Sequence, residues 1–114
     1  MTTSPITTHL LDTSSGRPAS GVDVVLEYRQ EDSWTELGRR STNADGRVDD
    51  LLSSPSLQPG DYRLTFATGA YFSASGRDSF HPTITVHFLV DEATAHYHVP
   101  VLVSPFGFTT YRGS

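Results

Sequence analysis

The sequence predicts an all-β fold, a sandwich or barrel of short strands with one short helix. Three observations predict it. Apolar and polar residues alternate with period two in most segments of five to nine residues. Turn-forming residues separate those segments at regular intervals. A single stretch, Gly69 to Asp78, breaks the alternation and suits a helix instead. At 114 residues, with 36% hydrophobic and 11% aromatic content, the chain suits one domain, residues 1–114, with a modest core.

The elements follow in order. Met1 to Ser4 reads as a loose leader. Ile6 to Asp12 is a first strand, with Ile6, Thr8 and Leu10 on one face and Thr7, His9 and Leu11 on the other. Thr13 to Gly21, rich in Ser, Gly and Pro, is a loop. Val22 to Gln30 alternates cleanly: Val22, Val24, Leu26 and Tyr28 against Asp23, Val25, Glu27 and Arg29. A turn at Glu31 to Ser33 leads to Trp34 to Thr42, polar enough to be half exposed. Asn43-Ala44-Asp45-Gly46 is a strong turn signal, because Asp-Gly supports positive φ. A short strand starts at Arg47 and runs to about Leu51. A loop with two prolines, Leu52 to Gly60, precedes a strand from Asp61 to Thr68. In the helical stretch Tyr71, Phe72 and Ser75 share a side. Pro82 to Val90 is the next strand, with Ile84, Val86, Phe88 and Val90 facing one way and His87 the other.

The end of the chain is the most informative part. From His96 it reads HYHVPVLVSPFGFTTYRGS. Tyr97, Val99, Val101 and Val103 make one apolar face, so His96 and His98 fall on the face away from the core. Ser104 to Gly107 makes a turn, and Phe108 to Arg112 returns as the eighth strand. Phe106, Phe108 and Tyr111 in the last nine residues predict a packed terminus, which would hold the α-carboxylate of Ser114 in a fixed place.

Composition excludes several function classes. The net charge of −5 argues against nucleic acid or an anionic membrane as the main partner. All eight basic residues are arginine, so lysine Schiff-base or general-base chemistry is excluded. There is no cysteine, hence no disulfide framework and no thiol nucleophile. No apolar run approaches the roughly 20 residues of a membrane span. The N-terminus lacks the basic and apolar regions of a signal peptide, and the ending is not a peroxisomal address; a cytoplasmic location is the expectation. Phosphate loops, nucleophile-elbow motifs and EF-hand spacing are all missing.

Four groups remain for chemistry. His96 and His98 lie about 7 Å apart along one strand face. Such a pair holds zinc only with a third ligand from elsewhere, and the acid–base reading is the better one, since imidazole titrates near neutrality. His9 lies on the corresponding non-core face of the first strand; alone it would be a surface residue. Arg47, directly after a tight turn, would alone be a solvated charge, yet its fork can orient an anionic or carbonyl-rich ligand. With the Ser114 carboxylate these make a set, although spacing alone does not bring His9, Arg47, His98 and Ser114 together. Asp45, Asp49 and Asp50 form an acidic cluster around a turn that could suggest calcium, but EF-hand spacing is absent and turn chemistry explains Asp45; His81 and His87 have no supporting context.

These residues carry a family resemblance. The ending Tyr111-Arg112-Gly113-Ser114, with His96-Tyr97-His98-Val99-Pro100 and Ser104-Pro105-Phe106-Gly107, resembles the 5-hydroxyisourate hydrolases, the transthyretin-related enzymes of urate breakdown. His9-Leu10-Leu11-Asp12, Gly16-Arg17-Pro18-Ala19 and Asp45-Gly46-Arg47 match too, so the resemblance spans nearly the whole chain. Ser79 to Thr83 departs from an aromatic-rich segment with a Glu after the proline, and Phe108 replaces a frequent tyrosine.

The resemblance implies a transthyretin-like (prealbumin-like) sandwich of two four-stranded sheets with one short helix. It implies a homotetramer, a dimer of dimers, with sites in the channel between dimers, and no metal or organic cofactor. Residue by residue, it implies that His9, Arg47, His98 and Ser114 are catalytic and that Arg47, Tyr111 and Arg112 bind substrate. The reaction implied is hydrolysis of the cyclic amide of 5-hydroxyisourate to 2-oxo-4-hydroxy-4-carboxy-5-ureidoimidazoline. A transthyretin-like carrier of small molecules shares the fold, and a carbohydrate-binding or structural sandwich module shares the early pattern. The two histidines, Arg47 and the C-terminal signature favour the enzyme.

Overall fold

The protein is described by a computed structural model over residues 4–54 and 56–114. Most of the leader therefore lies outside the described residues. Ser4, read as part of it, is buried at 1% exposure. Its N–H donates to the Asp49 carbonyl, and its hydroxyl accepts from the Leu52 N–H. Ser4 thus belongs to the fold, because a buried polar side chain needs such partners.

In chain order the elements are β1 (Ile6–Asp12), β2 (Arg17–Pro18), β3 (Asp23–Gln30), β4 (Ser33–Ser41), β5 (Arg47–Val48), β6 (Gly60–Phe66), α1 (Thr68–Ala74), β7 (Ile84–Val90), β8 (Tyr97–Ser104) and β9 (Gly107–Thr110). One sheet runs β4-β3-β6-β7 and is antiparallel throughout. In the other, β1 lies parallel to β8, and β9 returns antiparallel beside β8. The free edge of β1 carries two short strands: β2 opposite Leu11 and Asp12, and β5 opposite Thr8 and His9. This sheet is thus four strands wide but contains five. The fifth is β2, inside the stretch read as a loop, and β5 is shorter than predicted.

The inner faces follow the predicted parity. Ile6, Leu10, Tyr97, Val99, Val101 and Val103 from one sheet meet Val24, Leu26, Tyr62, Leu64, Phe66 and Ile84 from the other, all buried. Helix α1 ends earlier than predicted. The Ser75 and Gly76 N–H groups turn back to Phe72 and Ser73, and Gly76 has φ 72°. The helix adds Phe72 to the core, at 1% exposure, and is tied to β1 through Asp12. That carboxylate is fully buried. It accepts from Tyr71 Oη at 2.9 Å, Arg77 Nη2 at 3.0 Å and the Ser14 hydroxyl and N–H.

The C-terminus is held, though not as predicted. Phe106, Phe108 and Tyr111 are 71%, 40% and 57% exposed, so burial of these three rings does not anchor it. Polar and backbone contacts do. Thr110 Oγ1 donates to the Pro100 carbonyl at 2.9 Å, and the Gly113 N–H donates to the His98 carbonyl at 2.8 Å. Beyond β9 the chain therefore stays on the edge of β8, through an isolated bridge between His98 and Gly113.

Candidate active site

The outward face of the β1–β8 sheet gathers most of the predicted residues. In the ladder Thr7 lies opposite His98, and His9 lies opposite Pro100 on one side and Arg47 on the other. Paired residues share a face, so Arg47, His9, Thr7 and His98 stand side by side, with Gly113 next to His98. His9 and His98 are partly buried, whereas Arg47 and Ser114 are exposed.

The turn before Arg47 explains its position. Asn43 Oδ1 accepts from the N–H groups of Asp45 and Arg47. Gly46 has φ 74° and passes so close to β1 that an added Cβ would run into the Leu10 carbonyl. The Gly46 carbonyl accepts from the Leu10 N–H at 2.8 Å. Only glycine tolerates both the backbone conformation and the approach. The turn therefore locks Arg47 beside His9.

The imidazole of His98 is flanked on both edges. Its Nδ1 is 2.8 Å from Thr7 Oγ1, and the same hydroxyl is 3.1 Å from His96 Nε2. On its Cδ2 edge the ring abuts Gly113, where an added Cβ would be 2.6 Å from Cδ2. Burial lowers the His98 pKa below the ordinary histidine value of 6.5. The positive field of Arg47 adds to this, followed by His96 and His9, with Asp49 opposing. His98 is thus a neutral imidazole at pH 7, able to accept a proton.

Tyr111 and Arg112 reach His98 from another side. Together with Phe88, Tyr97 and Thr110 they line a cleft of about 190 Å³ between β7, β8 and the C-terminal segment. The Arg112 guanidinium lies 4.4 Å from the centre of the Tyr97 ring, a cation–π contact that steadies the segment. His9 and Arg47 do not line this cleft, so His98 is the residue common to both groups. A larger groove of about 550 Å³ lies along β4 and residues 50–54. It contains no histidine, and its charged lining is the exposed Arg40–Asp50 pair. Among the described residues no group of three His, Cys, Asp or Glu side chains is arranged to hold a metal. No helix among them is long and apolar enough to cross a membrane.

Sequence reasoning gave no role to Thr7, which touches two histidines, or to Asp49, whose charge acts on His98. The parity of β1 already put Thr7 on the face of His9. What was missing was the parallel pairing of residues 91 positions apart.

The fold and this face define a transthyretin-like sandwich whose β1–β8 sheet carries a histidine–arginine cluster on its outward face. A family model described as the HIUase/Transthyretin family matches residues 6–113. A curated relative, the 5-hydroxyisourate hydrolase of Salmonella dublin, is 45% identical over 109 residues, which is 96% of this chain and 80% of the relative. The structure of Klebsiella pneumoniae 5-hydroxyisourate hydrolase is 41% identical, with a TM-score of 0.85 and full coverage of both chains. Sea bream transthyretin, solved in complex with thyroxine, is 31% identical, with a TM-score of 0.90 over 96% of this chain and 95% of the other. The chain belongs to the HIUase/transthyretin family.

Proposed function

We propose that this protein hydrolyses 5-hydroxyisourate in urate catabolism, opening its cyclic amide to 2-oxo-4-hydroxy-4-carboxy-5-ureidoimidazoline. The observation that carries the reading is the neutral, flanked His98 on one face with His9 and Arg47. Hydrolysis needs a base for water, a cation for charge gathering on the attacked oxygen, and a donor for the leaving nitrogen. His98 Nε2, at the free end of the ring, takes the proton from water. Arg47 binds the electron-rich substrate and keeps His98 unprotonated. His9 donates to the substrate or protonates the leaving nitrogen. The Ser114 carboxylate, one residue beyond the Gly113 that bridges to His98, is the group assigned to orient the water. Tyr111 and Arg112 bind the substrate from the neighbouring cleft, which meets the His9–Arg47 group at His98.

The likeness to a thyroxine-bound transthyretin raises a carrier as the second reading. Fold similarity is shared by both readings. The residues that separate them are His9, Arg47, His98 and the Tyr-Arg-Gly-Ser ending, and carriage of a ligand requires no neutral base.

A homotetramer is the assembly that fits this reading. Phe80 and Phe106 at 71% exposure, Leu89 at 63% and Tyr111 at 57% leave apolar surface around edge strands β7 and β9. A second copy would cover them. Light scattering at a mass of four chains supports the tetramer; a monomer mass refutes it. A cytoplasmic location is proposed, and cell fractionation tests it.

The deciding experiment generates 5-hydroxyisourate from urate with urate oxidase and follows its ultraviolet decay. Acceleration that survives a metal chelator and falls about 10²–10⁴-fold in His98→Ala is expected. Decay at the spontaneous rate with the unaltered protein would overturn the hydrolase reading in favour of the carrier.

A further inference from the structure

Thr7 is the residue whose hydroxyl meets both histidines of β8 and its approach. Its Oγ1 lies 2.8 Å from His98 Nδ1 and 3.1 Å from His96 Nε2, and the side chain is buried at 3% exposure. A hydroxyl has one proton and two lone pairs. It either donates to one neutral imidazole nitrogen and accepts from the other or accepts from both; it cannot donate to both. His96 Nε2 and His98 Nδ1 therefore cannot both be bare and both be satisfied by Thr7, which couples the two rings through one atom.

We propose that Thr7 is a positioning residue which sets the tautomer of His98, with His96 as the acceptor that orients the Thr7 proton. Two arrangements pass the Thr7 proton between the rings; a third, in which both rings donate to Thr7, gives His98 the same tautomer as the first of these. In one, His98 Nδ1–H donates to Thr7, Thr7 donates to His96 Nε2, and His98 Nε2 is bare. In the other, His96 Nε2–H donates to Thr7, Thr7 donates to His98 Nδ1, and His98 Nε2 carries the hydrogen. The second alone leaves no lone pair where water is to be deprotonated.

Surroundings favour the first arrangement. His96 is exposed, so its own Nδ1–H is free to meet solvent. The other groups acting on His98 are Arg47, His9 and Asp49. Arg47 offers no acceptor to a ring N–H and its charge disfavours a second proton on His98, while Asp49, the one anionic acceptor among these groups, makes no hydrogen bond to the ring. When His98 takes a proton at Nε2, its Nδ1–H already points at an oxygen lone pair, so the imidazolium forms without rearrangement. A wrong tautomer in a catalytic histidine costs up to about 10⁴-fold in other hydrolases.

The inference rests on the hydrolase reading for its kinetic consequence but not for its structural one, which separates the two tests. Nitrogen-15 spectra of the substrate-free protein read the tautomer directly. The expected result is the Nδ1–H form for His98, changing toward Nε2–H in Thr7→Val. An Nε2–H tautomer for His98 in the unaltered protein overturns the proposal whatever the activity. Kinetically, Thr7→Val should lower kcat by about 10-fold or more with KM within about twofold, the pattern of a lost transition-state contribution. Thr7→Ser, which keeps the hydroxyl, should return kcat to within about threefold of the unaltered protein. His96→Ala, at an exposed position that cannot endanger the core, should lower kcat by about three- to tenfold at unchanged KM. Unchanged kcat in both Thr7→Val and His96→Ala refutes the role. If Thr7→Val does not fold, the spectra and His96→Ala decide.

Discussion

Gly113→Ala isolates the placement of the C-terminus. The backbone of Gly113 is not left-handed, so alanine brings no conformational strain there. Its methyl group would instead stand 2.6 Å from His98 Cδ2 and 3.0 Å from Pro100 Cγ. Ordinary contact begins at 3.4 Å, so a shift of 0.8 Å is needed at the closer atom. The imidazole cannot swing away freely, because Thr7 holds its opposite edge at 2.8 Å. The terminal segment must lift instead, carrying the Ser114 carboxylate with it. A displacement near 1 Å at a reacting centre costs about 10²-fold in rate. The stability cost is at most the Gly113–His98 hydrogen bond, about 1 kcal/mol, or about 4 °C in Tm for a domain of this size. The assay is decay of 5-hydroxyisourate beside a thermal melt. Activity within about threefold of the unaltered protein would refute the reasoning that His98 and the terminus must be in register. A melt lowered by more than about 10 °C would refute the claim that the terminus serves the site rather than the fold.

Other expectations are as direct. Removing Arg112, Gly113 and Ser114 should abolish most activity and leave the β-sheet circular dichroism and a cooperative melt; loss of the folded state would make the terminus structural. Arg47→Gln removes a cation beside His98, so the His98 pKa should rise, visible as a later midpoint in an imidazole NMR titration; an unchanged or lower midpoint contradicts the electrostatic role. Asp12 is the reverse case. Burial pushes its pKa up, but hydrogen bonds from the Ser14 hydroxyl, Tyr71, Arg77 and the Ser14 N–H outweigh it and hold it at about 2, below the usual 3.8. Its stabilising contribution is therefore complete above about pH 4 and lost as pH falls toward 2. Asp12→Ala should cost about 1–3 kcal/mol by removing the buried acceptor shared by Tyr71, Arg77 and Ser14, and should flatten the dependence of Tm on pH between 4 and 2; a variant melting like the unaltered protein would show that α1 is anchored otherwise.

Much of this molecule could be read from the chain alone. Period-two alternation placed eight strands and their buried faces, because the side-chain period of a strand is a local property of the backbone. It also turned His9 and His98 away from the core, and Asp45-Gly46 announced the turn that delivers Arg47, since positive φ demands such residues. The two-residue strand β2 escaped because it lacks enough residues for any pattern. Its pairing with Leu11 and Asp12 is made by tertiary contact. The aromatic ending suggested packing, yet hydrogen bonds to Pro100 and His98 hold the terminus, and hydrophobicity says nothing about such bonds.

The tertiary structure alone decided which residues meet. The parallel ladder between β1 and β8 joins the two ends of the chain and puts Thr7 against His98, a contact with no local signal. The shift in His98 has the same origin. It depends on burial and on a charge from a different strand, and neither exists until the sheet closes. Residue types and their faces were set by the sequence by itself, through backbone geometry. The neutral imidazole, its shared hydroxyl and its glycine neighbour were set by long-range pairing, because proton affinity and steric contact are properties of what a side chain touches.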